Sequence, residues 1–193
     1  MSNPLHQPVI QTQRLIFRCW HQLDLDALLA FSRDPAVMQY VGDGTPWDNS
    51  EAESFLVQEQ AHWQQHGYCR WALTARSLEA PVPIGFCGFV PAAEGLEIGW
   101  RLAADQWGQG LATEAAVAAI GHARDHLAAS EVVATIQPGN IGSQRVATKA
   151  GLEFDKTVDR QGQQLELWRI RLSAGLVAVN INNRKQRYSE DLG

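Results

Sequence analysis

The spacing of apolar residues divides the chain into short strands and longer helices. Apolar residues recur at helical spacing over 23–32, where Asp24 is placed to cap a first helix. The S-x-x-E pattern of Ser50 and Glu53 predicts a capping box for a second helix, which ends at Gly67. Runs rich in β-branched and aromatic residues predict about seven strands. We expect them at 14–20, 68–75, 84–90, 96–102, 131–136, 154–158 and 164–172, with the second and third joined by a turn near 80–83.

Two more helices are predicted in the second half of the chain. An alanine-rich stretch over 110–128 follows a glycine-rich turn, and a shorter helix over 141–150 follows Pro138-Gly139-Asn140. The order is strands, then strand–helix–strand–helix, then strands. That order predicts a mixed α/β (α+β) domain, with one sheet and helices on its faces. The domain is expected over 1–172, and the tail over 173–193 is compatible with an extra strand, a dimer contact or a frayed end.

Composition and charge narrow the functional classes. The chain has 193 residues, enough for one domain with an extension that needs no disulfide or metal staple. Its net charge of -5 argues against a nucleic-acid partner, because such proteins usually present a basic face. The three scattered cysteines are expected to be reduced and packed as small apolar residues. We find no signal peptide and no membrane-spanning apolar run, so a cytoplasmic monomer or homodimer is expected.

The glycine-rich turn at 107–113 is the first candidate for chemistry. Gly108 and Gly110 allow the backbone to approach a ligand closely, and the helix that follows presents unpaired N–H groups and a partial positive charge. Together these features predict a site for phosphate oxygens. The spacing does not match a nucleoside-triphosphatase loop or a dinucleotide fingerprint. A tight turn without a ligand remains the alternative.

Several blocks of sequence are similar to one family. They are Leu-Glu-Ile-Gly-Trp-Arg-Leu at 96–102, Trp-Gly-Gln-Gly-Leu-Ala-Thr-Glu-Ala at 107–115, Asn-Ile-Gly-Ser at 140–143, Lys-Ala-Gly-Leu at 149–152, Thr-Gln-Arg-Leu-Ile-Phe-Arg at 12–18 and Asp-Pro-Ala-Val-Met at 34–38. In this order they resemble the GNAT superfamily of N-acetyltransferases, and most of all the branch that contains the Rim-type ribosomal-protein N-terminal acetyltransferases. The resemblance covers residues 12–172.

The resemblance implies a fold, a cosubstrate and a set of contact residues. The fold is the acyl-CoA N-acyltransferase fold, a single domain with a central, mixed and mostly antiparallel sheet flanked by helices. The cosubstrate is acetyl-CoA, with no metal. The residues expected to contact it are Ile98, Trp100, Leu102, Trp107, Gly108, Gln109, Gly110, Leu111, Ala112, Thr113, Asn140 and Ser143. The family's usual arginine or glutamine falls on Asp105 or Trp107, so we expect the loop backbone alone to hold the pyrophosphate.

Acetyl transfer requires a base for the amine and a way to tolerate the leaving thiolate. Glu97 is the candidate base, directly or through water, and a surface or salt-bridge role is its alternative. Ser143 is the candidate hydrogen-bond partner of the sulfur, because the position where many members have a tyrosine is Ala147. Ser143 is also compatible with a purely structural role. Trp47 and Glu97 are the candidate contacts to the acceptor.

The acceptor and the activity leave two hypotheses open. The first is an N-acetyltransferase that moves an acetyl group in a ternary complex to a primary amine, either a protein N-terminal α-amine or a small molecule. The second is an acyl-CoA-binding module with weak or lost catalysis, which acts as a sensor or scaffold. Two pairs of histidines have the i, i+4 spacing of helical zinc ligands, at 62 and 66 and at 122 and 126. Because neither pair has an evident third ligand, we interpret them as solvated helix residues.

Overall fold

The computed structural model describes residues 8–76, 82–93 and 95–173. Five helices lie within these ranges: α1 Leu25–Ser32, α2 Pro35–Met38, α3 Asn49–His66, α4 Leu111–His126 and α5 Ile141–Lys149. The strands are β1 Ile10–Gln11, β2 Leu15–Arg18, β3 Arg70–Ala75, β4 Pro83–Ala92, β5 Gly95–Leu102, β6 Glu131–Ile136, β7 Glu153–Arg160 and β8 Gln163–Arg171. The predicted turn near 80–83 lies partly, and the tail beyond residue 173 wholly, outside the described residues.

The strands form one mixed sheet in the order β1-β2-β3-β4-β5-β6-β8-β7. All neighbouring pairs are antiparallel except β5 and β6, which run parallel. The predicted single mixed sheet is therefore confirmed. It contains an eighth strand, β1, which the sequence analysis did not predict. With two residues, β1 is too short to show an alternating pattern, and its pairing with β2 defines it.

Helix α3 begins with a capping box, but not the one that the sequence predicts. The box consists of Asp48 and Glu51, whose side chains accept hydrogen bonds from each other's backbone N–H at 2.9 and 2.8 Å. The Ser50 and Glu53 pair is wrong as a cap because the helix begins at Asn49. The loop is fixed just before this point, where the Trp47 N–H donates to the Ser32 carbonyl at 2.9 Å. Gly67 ends the helix as predicted, at φ 73°.

Helix α1 also begins differently from the prediction. Asp24 occupies its N-cap position but makes no side-chain cap hydrogen bond to the helix. Instead, its carboxylate accepts two hydrogen bonds of 2.7 Å from the Arg18 guanidinium and one of 2.8 Å from the His21 N–H. Both charged side chains are buried. A buried carboxylate needs a cationic partner, so this pairing takes precedence over capping.

The sheet buries a different apolar cluster on each face. One cluster packs α4 against the strands, with Ile98 and Leu102 of β5 among its members. The other packs α1 and α3 against the opposite face, with Phe86 of β4 and Phe55 of α3. Since side chains alternate along a strand, β5 presents Ile98 and Leu102 to the α4 face and Arg101 to the α1 and α3 face. None of the helices in the described ranges is long and apolar enough to cross a bilayer.

The sheet is split along its length between β5 and β6. These two strands pair only at Leu96 with Val132 and at Glu97 with Val133. From Ile98 onward, no strand in the described part of the chain pairs with β5 on its β6 side. The backbone of this part of β5 therefore has an edge that is open to a ligand. The split lies at the only parallel contact of the described sheet, where β5 leads to the glycine-rich turn and α4.

Candidate active site

A groove of about 650 Å³ lies beyond the split. One wall is the C-terminal end of β5, at Trp100 and Leu102, and the floor is the glycine-rich turn and the first residues of α4. The opposite wall is the start of α5 with the turn that precedes it, and the rim is formed by α2 and the residues that follow it. Segments that are distant in sequence are thus brought around one cavity.

Two side chains of the glycine-rich turn donate hydrogen bonds to the backbone of the residues that precede it. Gly108 and Gly110 have φ values of 75° and 77°, in the left-handed region that other residues rarely adopt. The Trp107 indole donates to the Leu102 carbonyl at 2.9 Å, and the Gln109 side chain donates to the Asp105 carbonyl at 3.2 Å. Gly110 is the N-cap of α4 and has no side chain that could occupy the helix terminus. The turn thereby leaves the first N–H groups of α4 accessible.

The N-terminus of α4 offers a set of converging donors. The Glu114 N–H bonds to the Gly110 carbonyl at 3.0 Å, so the N–H groups of Leu111, Ala112 and Thr113 precede the first helical hydrogen bond. All three residues line the groove. A helix of 16 residues also places a partial positive charge at this end. The arrangement suits an anion with several oxygen atoms.

Cationic side chains from other parts of the chain lie near the turn, although the loop's own sequence has none. The Arg14 guanidinium donates to the Gln109 carbonyl at 2.8 Å and forms an ion pair with Glu114 at 2.6 Å. On the opposite wall, Arg145 and Lys149 of α5 line the groove. The expectation that the backbone alone holds the pyrophosphate considered only the loop's own sequence, and it stays a prediction. The nearby positive charge comes from Arg14, just before β2, and from α5, which are both distant from the loop along the chain.

Glu114 ties the start of β2 to the first turn of α4. Besides the Arg14 side chain, its carboxylate accepts hydrogen bonds from the Thr12 hydroxyl at 2.6 Å and the Arg14 N–H at 2.9 Å. Partial burial acts to raise the pKa of Glu114, but these hydrogen bonds and the nearby Arg14 charge outweigh it and hold the pKa below its ordinary value. The carboxylate therefore stays ionised and fixes Arg14 beside the turn.

Most of the residues predicted to contact the cosubstrate lie together in the groove. The lining includes Trp100, Leu102, Trp107, Gly108, Gly110, Leu111, Ala112, Thr113, Asn140 and Ser143. Two predicted residues do not line it. The side chain of Ile98 is buried in the apolar cluster between β5 and α4. Gln109 lies beside Arg14, on the side of the turn that faces away from the groove. For Ile98 only the backbone remains available to a ligand.

Asn140 and Ser143 have local roles at the start of α5. The Asn140 side-chain oxygen caps the helix by accepting a hydrogen bond from the Ser143 N–H at 3.1 Å. Both residues line the groove. The cap uses the Asn140 carbonyl oxygen, so its amide group and the Ser143 hydroxyl are the polar atoms that can serve a ligand.

Glu97 lies on β5 where the split begins, and it is not one of the residues that line the groove. Its carboxylate forms an ion pair with Arg160 of β7 at 2.7 Å and accepts a short hydrogen bond from the Thr135 hydroxyl of β6. The side chain is 16% exposed, so solvent still reaches it. It occupies the last position where β5 and β6 pair. The salt bridge named as an alternative is present, and the carboxylate also stands where the open edge of β5 begins.

Trp47 packs over an arginine rather than lining the groove. Its ring lies 4.4 Å from the guanidinium carbon of Arg101 and 5.2 Å from the Phe55 ring. Arg101 itself lines the groove and is 9% exposed. Burial, followed by the like charge of Arg70, lowers the pKa of Arg101 to about 9, so the guanidinium is charged at neutral pH.

Sequence reasoning missed several residues around the groove. They are Gln39, Tyr40 and Val41 after α2, Arg101 on β5, and Arg145 and Lys149 on α5. The i, i+4 spacing of the two α5 cations was visible in the sequence and predicts one helix face. Which wall that face would form depends on how α5 packs, and the sequence alone does not specify this.

The two histidine pairs make ring contacts within their own helices. The His62 and His66 rings lie 4.5 Å apart, and those of His122 and His126 lie 4.7 Å apart. The His62 ring nitrogen also contacts the Tyr68 carbonyl at 2.8 Å. A search of the described residues finds no group of three histidine, cysteine or acidic side chains positioned to hold a metal ion.

Comparison with known proteins assigns this architecture to a family. A model described as "Acetyltransferase (GNAT) domain" matches residues 14–153. The chain is 28% identical over 162 residues to the uncharacterized protein YkkB of Bacillus subtilis (strain 168), covering 81% of this chain and 92% of that protein.

Two solved structures share the fold. An acetyltransferase from Agrobacterium tumefaciens strain C58 superposes with a TM-score of 0.73 at 26% identity, covering 89% and 98% of the two chains. RimL, a ribosomal L7/L12 α-N-protein acetyltransferase solved in complex with coenzyme A, superposes with a TM-score of 0.73 at 15% identity, covering 88% and 100%. The family match spans most of the domain that holds the groove, and we conclude that this chain belongs to the GNAT family of N-acetyltransferases.

Proposed function

We propose that the protein transfers an acetyl group from acetyl-CoA to a primary amine by direct attack in a ternary complex. The observation that carries the proposal is the continuous path from the open edge of β5 to the N-terminus of α4. That path offers backbone hydrogen bonds at one end and an anion site at the other. RimL, which has the same fold, was solved with coenzyme A, and the proposal assigns the same cosubstrate to this chain.

The residues present fit the pyrophosphate of CoA. The N–H groups at the start of α4 supply donors, and the two glycines keep side chains away from them. Arg145 and Lys149 add positive charge from the opposite wall. The exposed rings and alkyl groups of Trp107 and Ile141, at 49% and 50%, give the same groove apolar surface for the less polar parts of the molecule.

The pantetheine arm would lie along the open edge of β5. An extended amide chain can bond to an unpaired strand edge as an added strand does. Residues from Ile98 to Leu102 provide that edge, and Asn140 offers its side-chain amide from the other side. This orientation directs the thioester toward the end of the split where Glu97 lies.

The chain's own groups then have two tasks. Acetyl-CoA supplies the acetyl group as an activated thioester, and the protein must deprotonate the amine and stabilise the departing sulfur. We assign the first task to Glu97, acting directly or through water, because its carboxylate is accessible at 16% exposure. We assign the second to the Ser143 hydroxyl, because Ser143 lines the groove. A backbone N–H on the open part of β5 is available to polarise the carbonyl.

The basicity of the acceptor determines how much help it needs. A lysine amine, with a pKa of about 10.4, loses its proton at pH 7 at a cost of about 4–5 kcal/mol, whereas an α-amine with a pKa of about 8 costs about 1–1.5 kcal/mol. The lower cost favours an amine of low pKa as the acceptor, such as a protein N-terminus or an amine with an electron-withdrawing neighbour.

The decisive experiment measures release of the CoA thiol from acetyl-CoA as a function of added amine. We expect release to require the amine and to saturate with both substrates, with lines that intersect in double-reciprocal plots as a ternary complex requires. Tight acetyl-CoA binding without turnover across a broad amine panel would instead favour the sensor or scaffold hypothesis. Absence of acetyl-CoA binding would refute both.

A further inference from the structure

Arg101 is a buried cation whose charge is not neutralised by any described carboxylate. Its side chain is 9% exposed, and one nitrogen, Nη1, donates to the Ser32 hydroxyl at 3.2 Å. The Nε group is buried and has no hydrogen-bond partner in the described part of the chain. Burying an ionised group without a counter-charge costs several kcal/mol, so a fold retains one only where something offsets that cost.

A second arginine, Arg70, lies close to the same aromatic residues and, unlike Arg101, is paired with a carboxylate. Arg70 is paired with Glu59, whose carboxylate accepts both its guanidinium at 2.5 Å and its backbone N–H at 2.7 Å. The Phe86 ring lies 5.9 Å from the Arg70 guanidinium and 5.0 Å from that of Arg101. Of these two neighbouring cations, Arg70 is paired with a carboxylate, whereas Arg101 forms no ion pair with a described residue.

Aromatic contacts fix the position of Arg101, and the residue also lines the groove. The rings of Trp47 and Phe86 lie 4.4 and 5.0 Å from its guanidinium carbon and orient the plane by cation–π contacts. Trp47 is itself held by its N–H bond to the Ser32 carbonyl. The groove reaches Arg101 next to Val37 and Tyr40 of the α2 rim. A rigid guanidinium on a residue that lines a groove is suited to paired hydrogen bonds with a carboxylate or phosphate.

We propose that Arg101 binds an anionic group of the acceptor, so that the enzyme acetylates amines that carry a carboxylate or a phosphate. The inference rests on the proposed function and names the substrate class of that site. Glu97 and Arg101 lie on one face of β5, four residues apart, so their Cα atoms are separated by roughly 13 Å. The amine and the anion are therefore expected to be separated by a spacer rather than attached to one carbon.

The test compares amines in matched pairs at equal concentrations of free amine. Glycine, β-alanine and γ-aminobutyrate are each compared with their amides, which tests recognition of a carboxylate. O-phosphoethanolamine is compared with ethanolamine, which tests recognition of a phosphate. We expect kcat/KM to favour one anionic series by about tenfold or more, as a charged hydrogen bond predicts. In Arg101→Gln this preference should disappear, and in Arg101→Lys it should be reduced. Arg33→Gln removes an exposed cation at the end of α1 and should leave the preference unchanged.

A stability measurement distinguishes recognition from a structural role. If Arg101 is retained for a ligand, Arg101→Met should unfold at the same or a higher denaturant concentration than the wild type, because an uncompensated cation is replaced by an apolar group of similar length. A large loss of stability in Arg101→Met would show that the cation serves the fold and would overturn the inference.

The other outcomes of these experiments also support or refute the proposed role of Arg101. Turnover of neutral amines at least as fast as of anionic ones would leave the proposed function intact and refute the role of Arg101. Loss of CoA affinity in Arg101→Gln without a change in acceptor preference would assign the cation to the cosubstrate and refute it as well. If acetyl-CoA does not bind at all, the proposed function fails. The inference is then judged by calorimetric titration of the anionic amines, which should bind wild type and not Arg101→Gln.

Discussion

At the scale of single residues, Gly110 combines two properties that the proposed site needs. Its φ of 77° is in the left-handed region, and a Cβ added there would meet only the Arg14 guanidinium, at 3.7 Å, within 4 Å. A side chain at this position would therefore cost conformational energy rather than create a clash within the described protein. It would also project from the N-cap of α4, next to the site proposed for the pyrophosphate.

We predict that Gly110→Asp lowers affinity for CoA by more than about tenfold, because its negative charge would lie next to the bound phosphates. Gly110→Asn is the matched control, since asparagine has nearly the same shape, tolerates the left-handed conformation and carries no charge. Calorimetry on both folded variants measures the difference. Equal affinity in the two variants would show that no anion binds at this turn.

Glu97 allows a separate test, because its ion pair with Arg160 can be removed from either side. If Glu97 is the base, Glu97→Gln should lower kcat by about 100-fold or more and leave the affinity for acetyl-CoA unchanged. The loss should be greater for amines of high pKa than for α-amines. Arg160→Met removes the ion pair and keeps the carboxylate, so it should retain most of the rate.

The opposite pattern would identify a structural pair. If both variants lose stability and rate to the same extent, the carboxylate acts through Arg160 rather than on the amine. Full activity of Glu97→Gln at every pH would exclude it as the base. Steady-state kinetics and urea unfolding of the two variants distinguish these cases.

At the scale of elements, the segment just before β2 is tied to α4 beside the proposed anion site. Glu114 lies in the first turn of α4, where a negative charge is favoured, and it accepts hydrogen bonds from Thr12 and Arg14, just before β2. The same contact places a cation against the turn. We therefore expect a single substitution to affect both stability and CoA binding.

Glu114→Gln should lower the free energy of unfolding by about 1–2 kcal/mol at pH 7. The folded-state pKa of Glu114 is below its ordinary value, so this stabilisation is present above the unfolded pKa of about 4.3 and is lost as pH falls through the folded pKa. Urea unfolding at pH 7 and near pH 3 should show the difference between variant and wild type shrinking in acid. Asp125→Asn, an exposed acid on the same helix, should have no measurable effect at either pH.

At the scale of the whole molecule, the groove joins parts of the chain that are otherwise separate. Its walls come from β5, α4, α5 and the segment after α2, so a ligand bound there contacts both halves of the domain. Binding to the folded state alone must stabilise the fold by linkage. The groove therefore connects cosubstrate affinity with global stability.

A CoA concentration 100 times its Kd should stabilise the protein by about 2.7 kcal/mol. For a chain of this size, that corresponds to a rise in Tm of about 5–10 °C. Differential scanning calorimetry with and without CoA measures the shift, and Gly110→Asp should show little or none. No shift in the wild type at millimolar CoA would contradict the proposed site.

The sequence alone determined the elements and the family because those features are local. Alternating and helical periodicities located seven of the eight strands and the main helices, and the turn at 107–113 followed by an alanine-rich helix predicted an anion site. At one of the wrong predictions, a competing local signal was present. The helix cap at Ser50 was wrong because Asp48 and Glu51 form an equivalent pair two residues earlier.

Tertiary structure decided which side chains meet. The ion pair between Glu97 and Arg160, the tie from Arg14 to Glu114 and the stacking of Trp47 on Arg101 each join residues that are 54 to 100 positions apart, and no periodicity specifies such pairs. The split between β5 and β6 likewise depends on how far two parallel strands remain together, which follows from packing on both faces of the sheet. The sequence located the glycine-rich turn, whereas only the folded sheet brought a buried arginine without an ion-pair partner among the described residues to the groove.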